Sequence, residues 1–452
     1  MAQGPYIGLN AAEMVSLLAA QHEMIERMAA RISELEALVG KPRKTSKNSH
    51  IPPSKDDFDR RGGGRRGKAK AGQRPSREGK HRPLAETPDK TERIMATSCS
   101  HCGVDVAGQV QHCRQRYDHI DLPPIRPIVT RIELFGGRCR GCGVRFKARA
   151  PADTAPGTPF GPGVRALLAY LHHSHHVSFE RLARIARELF GLAISEGAIA
   201  NMFRRMGAGM AAATKAIRDK LLTAKIIASD ETTTRTNGVI HWQWVFLSKD
   251  AVLHRIAPRR ARNVAEAVLG GHQPDVWVSD RYAGQQALGR QHQVCLAHVL
   301  RDVQYAIDCG DTIFAPKVRD HLRWAIRVGK RRSTLKDATL AAYAAKADSQ
   351  LTRLMRMPIA HPAGQVLLRQ IKAWRAKFFV FLANRDVPAT NNISEREIRP
   401  SVVFRKVTNG FRSDWGAQIH AGYRSVTGTA RLSGQSALSA IRDLVDGSFA
   451  VA

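Results

Sequence analysis

The first clear hydrophobic pattern in the chain runs from Asn10 to Val39. Apolar residues stand seven apart at Ala11, Leu18, Ile25, Ile32 and Val39. Met14, Met28 and Leu35 fill the complementary positions, with Gln21 as one polar slot. This is the a/d seam of a coiled coil and predicts one helix that self-associates, ended by Gly40. The alternative is an amphipathic helix packed on its own protein. From Lys41 to Arg82 the pattern vanishes into Gly62-Gly63-Gly64, several prolines and many Lys and Arg. Such a stretch cannot bury enough surface to fold alone and predicts a flexible linker. Beyond a Pro/Gly connector at 151–162, helical spacing returns from Val164 to about Leu222. Phe179–Ala186 reads as an amphipathic helix, Gly191-Leu192 as a turn, and Ser195 as the cap of a second helix, Glu196–Arg205. That is the outline of a helix-turn-helix, although any packed αα-hairpin shares it.

The next stretch alternates differently. Ile226-Ile227-Ala228 is a short strand leading into Asp230-Glu231, followed by a Thr-rich turn from Thr232 to Gly238. Val239–Phe246 and Val252–Ile256 read as two more strands, Ala261–Leu269 as a helix, and Asp275–Ser279 as a strand that delivers Asp280. Each Asp alone is commonly a turn or cap residue. Together, at the ends of the first and fourth strands of a β-β-β-α-β series, they match a ribonuclease-H-like core. A third acid is offered by Glu395, on a short helix capped by Asn391, Asn392 or Ser394 and ended by Pro400. Arg399 shares the face of Glu395 and Glu397 points elsewhere; a Glu395–Arg399 surface pair would contribute little. Residues 304–385 have helical spacing, as do Ala430–Val445, which close on the core.

Composition adds partners and metals. The chain has 452 residues, 71 Lys and Arg against 39 Asp and Glu, and a net charge of +32. Such a field attracts polyanions, above all nucleic acid. Of seven cysteines, Cys99, Cys102, Cys139 and Cys142 form two C-x-x-C knuckles, CSHCG and CRGCG. That spacing, with no secretory pattern at the N-terminus, reads as a four-cysteine zinc ribbon and not as disulfides. No apolar run approaches a membrane span. A cytoplasmic, nucleoid-associated protein with access to DNA is expected.

These parts together resemble the transposases of insertion-sequence family 66, of the DDE class. The resemblance rests on KTSKNSHIPPSKD, both knuckles, SDETTTRTNG with HWQWVF, SDRYAGQ, CLAHVLRD, NNISEREIRP and FRKVTNGFRS. It covers nearly the whole chain. One departure is Arg281, where related sequences often carry Gly. The resemblance implies Asp230, Asp280 and Glu395 as the catalytic triad. It implies a multidomain α+β chain: coiled coil 1–40, basic linker 41–92, zinc ribbon 93–150 and helix-turn-helix-like region 151–222. The ribonuclease-H-like core then occupies 223–303 and 386–430, split by a helical insertion 304–385, with a C-terminal helix at 431–452. Cys295-x-x-His298 matches a signature found after the second acid in several transposase groups.

Carboxylate oxygens suit Mg2+ or Mn2+. In a two-metal site the ions clamp the attacking and leaving oxygens of an in-line displacement. Water would free a 3′-OH at a transposon end, and that hydroxyl would attack target DNA. Lys225, His298, Arg396, Arg399, Arg405 and Lys406 are the candidate DNA contacts. Double-stranded DNA, a second copy of the chain or a higher oligomer, and accessory transposition proteins are the expected partners. Two rival readings are a DNA-binding regulator on the same scaffold and a metal-dependent nuclease that cuts without joining.

Overall fold

The computed structural model describes residues 10–39, 42–49, 82–151, 154 and 159–451, with backbone alone for Ala11, Ala30 and 32–39. Most of the expected basic linker and part of the 151–162 connector lie outside them. The chain divides into two units, one of residues 1–56, 132–184 and 194–452, the other of 57–131 and 185–193. Among the described residues no helix is long and apolar enough to cross a membrane.

Helix α1 (Ala11–Val39) forms as the heptads predict, with Asn10 and Glu13 capping each other's backbone N–H at 2.9 Å. Its seam is exposed: Leu18 by 59% and Ile25 by 63%. The first residues of the expected linker are ordered. Asn48 is buried and donates to Asp308 at 2.8 Å.

Strands β1 (Gly136–Arg138) and β2 (Arg145–Lys147) flank the second knuckle. The β-prone run Ile128–Phe135 before them, which reads as a strand by composition, forms none. Its β-branched residues find no partner backbone, and β-propensity acts only through such pairing.

Helices α2 (Pro162–His175), α3 (Phe179–Phe190), α4 (Glu196–Arg205) and α5 (Gly207–Leu221) follow. The Ser195 hydroxyl accepts from Ala198 N–H at 3.2 Å and starts α4 as predicted.

The centre of the larger unit is a mixed five-stranded sheet. Its strands are β3 (Ile226–Thr236), β4 (Val239–Leu247), β5 (Val252–Ala257), β6 (Val276–Ser279) and β7 (Gln291–Val294), in the order β5-β4-β3-β6-β7. β3, β4 and β5 are an antiparallel meander, and α6 (Arg262–Leu269) crosses to β6, which runs parallel to β3 and β7. β3 is longer than expected. The Thr-rich run is strand, not turn, and the reversal is confined to Asn237 and Gly238, both at positive φ. An Asn-Gly pair is the preferred two-residue hairpin turn, and threonines sit well on a pleated surface.

After β7 the chain turns helical at once: α7 (Leu296–Asp308), α8 (Phe314–Arg331), α9 (Asp337–Met355), α10 (Pro362–Trp374) and α11 (Val380–Ala383). Val278 and Val294 of the sheet share one apolar cluster with Phe314, Leu322, Leu351 and Phe381. Gln293 pins the two parts, accepting from Phe381 N–H at 3.0 Å and donating to the Phe378 carbonyl at 3.1 Å.

The last helices are α12 (Asn392–Thr408), α13 (Asp414–Leu432) and α14 (Ala437–Asp446). Pro400 does not end α12 as expected but lies inside it. Removing one helical N–H is offset by the buried face that Ile398, Ser401 and Phe404 continue across the proline. α13 covers the edge strand β5. Thr429 Oγ1 and Ser425 Oγ accept the free N–H groups of Val252 and His254 at 3.0 and 2.8 Å, so the edge offers no template for pairing.

Candidate active site

Asp230 and Asp280 are brought together by sheet register. β3 pairs with β6 through Ile226↔Val276 and Ala228↔Val278. Two residues further along each strand stand Asp230 and Asp280, where β6 has ended and the parallel ladder opens. Crevices beyond the carboxyl ends of parallel strands are where such sheets bind ligands. Asp230 therefore sits within a long strand rather than at its end, a correction to the expected layout. Asp280 accepts the Tyr282 N–H at 2.8 Å, which fixes its turn. Arg281, the departure from the related pattern, pairs with Asp302 on α7 and leaves that turn intact.

Glu395 arrives on the first turn of α12. Asn391 holds that turn to the strand of Asp230: its Nδ2 donates to the Ser229 carbonyl at 2.7 Å and its Oδ1 accepts from Ser394 Oγ at 2.7 Å. Asn391 N–H also donates to Cys295 Sγ at 3.1 Å. The acids lie close enough to act on one another. Burial raises the Asp230 carboxyl well above the ordinary range, and the charges of Glu231, Asp280 and Glu395 push it the same way. One oxygen of Glu395, Oε1, is buried without a hydrogen bond. Glu397 does point elsewhere, buried against His254 and Arg424, with the exposed Arg431 reaching it from outside.

Sequence reasoning passed over a fourth acid. Glu231 has a side chain only 1% exposed and is held by Arg260 at 2.5 Å and by Gln285. Burial, with the Asp280 charge, raises its carboxyl. Arg260 lies over the Tyr282 ring at 3.8 Å and reaches Asp280 Oδ2 at 4.0 Å. The signal available was the Asp230-Glu231 pair itself. Alternation along a strand assigns only one of two neighbours to a given face, and here both are drawn in because Arg260 neutralises the second.

Cys295-x-x-His298 lies at the same place. Cys295 joins β7 to α7, and His298 Nε2 stands 3.7 Å from Glu395 Oε1. Burial pushes the Cys295 thiol up, opposed by main-chain donors from Asn391, His298 and Ala297. Among the described residues, the ligand atoms of Cys295, His298 and Glu395 form the group that lies within 4.8 Å.

The candidate DNA contacts divide. Lys225, Arg396, Arg399 and Lys406 are exposed. Arg405 is engaged on β3, donating to the Thr233 carbonyl and, at 2.6 Å, to Thr233 Oγ1. The knuckles, each taken by itself, have the same backbone. Cys99 N–H donates to Val104 and Cys139 N–H to Val144, both at 2.8 Å, while Gly103 and Gly143 turn at φ 76° and 71°. Main-chain donors from Cys102 and His101 lower the Cys99 thiol, and those from Cys142 and Gly141 lower Cys139. Such lowered thiols are the form that binds a metal.

Comparison with protein families matches residues 157–419, more than half of the chain, to the family described as "Transposase IS66 family". The matched span contains Asp230, Asp280, Glu395 and the helices between them. No curated protein matches the chain significantly.

Proposed function

The chain belongs to the IS66 transposase family, enzymes that act on DNA, and from that premise we propose that it is a DDE transposase with Asp230, Asp280 and Glu395 as its catalytic carboxylates. The strand order β5-β4-β3-β6-β7, with a three-strand meander and two parallel strands, supports a ribonuclease-H-like core. The observation that carries the proposal is the Asp230–Asp280 register together with the mutual repulsion at Asp230.

The residues fit a hard divalent cation. Three carboxylates crowd one another, and Glu395 Oε1 is buried with no hydrogen bond, a state that a cation relieves. Asp230, Asp280 and Glu395 would hold Mg2+ or Mn2+, which when bound polarises the phosphate and steadies the attacking and leaving oxygens. The protein's own part is placement. Asn391 locks Glu395 to β3, Tyr282 N–H orients Asp280, and Arg260 keeps Glu231 paired beside them. The exposed side chains of Lys225, Arg396, Arg399 and Lys406 suit DNA phosphates. The reaction has two stages: water cleaves the transposon end to leave a 3′-OH, and that hydroxyl displaces a phosphodiester of the target.

Around this core, the thiols of Cys99 and Cys139, lowered by main-chain donors, support Zn2+ binding at the Cys99-x-x-Cys102 knuckle and at the Cys139-x-x-Cys142 knuckle. The Ser195-capped α4 supports a helix-turn-helix role for 151–222, and the exposed α1 seam supports a homodimer or higher assembly. Labelled transposon-end DNA, incubated with the protein and Mg2+ with and without target, tests the reading. Cleaved ends and joined products on a denaturing gel are expected. Cleavage without joining would instead support a nuclease, and binding without cleavage a regulator.

A further inference from the structure

Cys295 Sγ, an imidazole nitrogen of His298 and a carboxylate oxygen of Glu395 all lie within 4.8 Å of one another. The convergence is built by the fold. Cys295 stands at the joint between β7 and α7, fully buried, and His298 follows on the first turn of α7. Glu395 comes from the facing end of α12, and the Asn391 N–H to Cys295 Sγ bond clamps the two helix starts together. His298 Nε2 and Glu395 Oε1 are already 3.7 Å apart. Ligand atoms around a tetrahedral zinc ion stand roughly 3.3–3.6 Å apart, from bond lengths of about 2.0–2.3 Å. Small side-chain rotations would therefore close the group on an ion.

The donor set is selective. Mg2+ demands six oxygen-type ligands in a near-ideal octahedron, and a thiolate suits it poorly. One thiolate, one imidazole and one carboxylate, with water as the fourth ligand, are a zinc set. The same carboxylate belongs to the catalytic triad proposed above.

We propose that Cys295, His298 and Glu395 form a zinc site that draws Glu395 out of the catalytic set, so that micromolar zinc restrains DNA cleavage. Binding releases the Cys295 thiol proton to solvent and leaves Asp230 and Asp280 without their third partner. The zinc site stands apart from the catalytic reading; the restraint rests on it.

Equilibrium dialysis of the full chain against micromolar zinc chloride, with zinc per chain measured by atomic emission, tests the site. Wild type is expected to hold one more zinc per chain than Cys295→Ser or His298→Gln, with any knuckle zinc common to all three. Circular dichroism confirms which variants fold, and either variant suffices. Equal zinc in wild type and a folded variant overturns the site, whatever the enzyme does. Cleavage of end DNA in Mg2+ tests the restraint. Micromolar zinc should slow wild type at least about tenfold, and Cys295→Ser should need at least about tenfold more zinc for the same slowing. Bound zinc with no slowing of an active wild type overturns the restraint. An extra zinc on a wild type that cleaves under no condition supports the site and counts against the catalytic reading.

Discussion

Asp230 is the residue on which the local energetics turn. Burial and three neighbouring carboxylates raise its proton affinity above that of the unfolded chain. Its contribution to stability is therefore complete below the ordinary carboxylate range and is lost as pH rises through the raised value. Above that value and without metal, the ionised group is a cost that a bound cation would remove. Thermal melts should show Asp230→Asn more stable than wild type in EDTA, and Mg2+ should raise the wild-type midpoint more than that of the variant. Glu397 works in the opposite sense. Burial would raise it, but the hydrogen bond and charge of His254 and the charges of Arg424 and Arg431 prevail and hold it at about 2. Its stabilisation is present above the ordinary glutamate value and is lost as pH falls through about 2. Glu397→Ala leaves Arg424 charged and buried, so a loss of ~3–5 kcal/mol in urea unfolding is expected.

At the scale of elements, the heptads of α1 carry the expectation of a helical partner. Leu18, Ile25 and Met28 are exposed along one seam, and a seam of that kind is covered by another helix. Ile25→Glu should shift the chain to a smaller species in sedimentation velocity; an unchanged assembly would refute the dimerising role. The heptads, the Ser195 cap and the strands that deliver Asp230 and Asp280 were legible because a single local rule governs each. The extent of β3 was not, since Thr232–Thr236 carries turn-like composition and becomes strand only against Val239–Gln243 of β4. Nor was the passage of α12 through Pro400. α13 left almost no trace in the pattern. Residues such as Gly422, Ser425, Thr427 and Gly428 are buried around much of its circumference, so no polar face marks the period. Gly428 is there because a Cβ would stand 3.0 Å from both Val252 and Glu397, and Ser425 and Thr429 serve the edge of β5.

For the whole molecule, the charge of +32 and the family agree on DNA as the partner. The position of the candidate site was legible from sequence in two acids that stand beyond short apolar runs, although Asp230 lies within its strand and only Asp280 follows one. Closure of the site was not, because Asn391 reaches Ser229, Arg260 reaches Glu231 and Cys295 meets Asn391 across more than 25 residues of chain, and no local pattern announces them. The most direct measurement is the single-turnover rate of end cleavage by wild type, Asp230→Asn, Asp280→Asn and Glu395→Gln, with DNA binding measured on the same samples. Charge stabilisation by a bound metal contributes several kcal/mol, at 1.36 kcal/mol for each tenfold in rate. Each variant should therefore cleave at least about a thousandfold more slowly than wild type while still binding DNA. A variant that binds and cleaves within about tenfold of wild type would contradict the assignment of that carboxylate, and with it the triad.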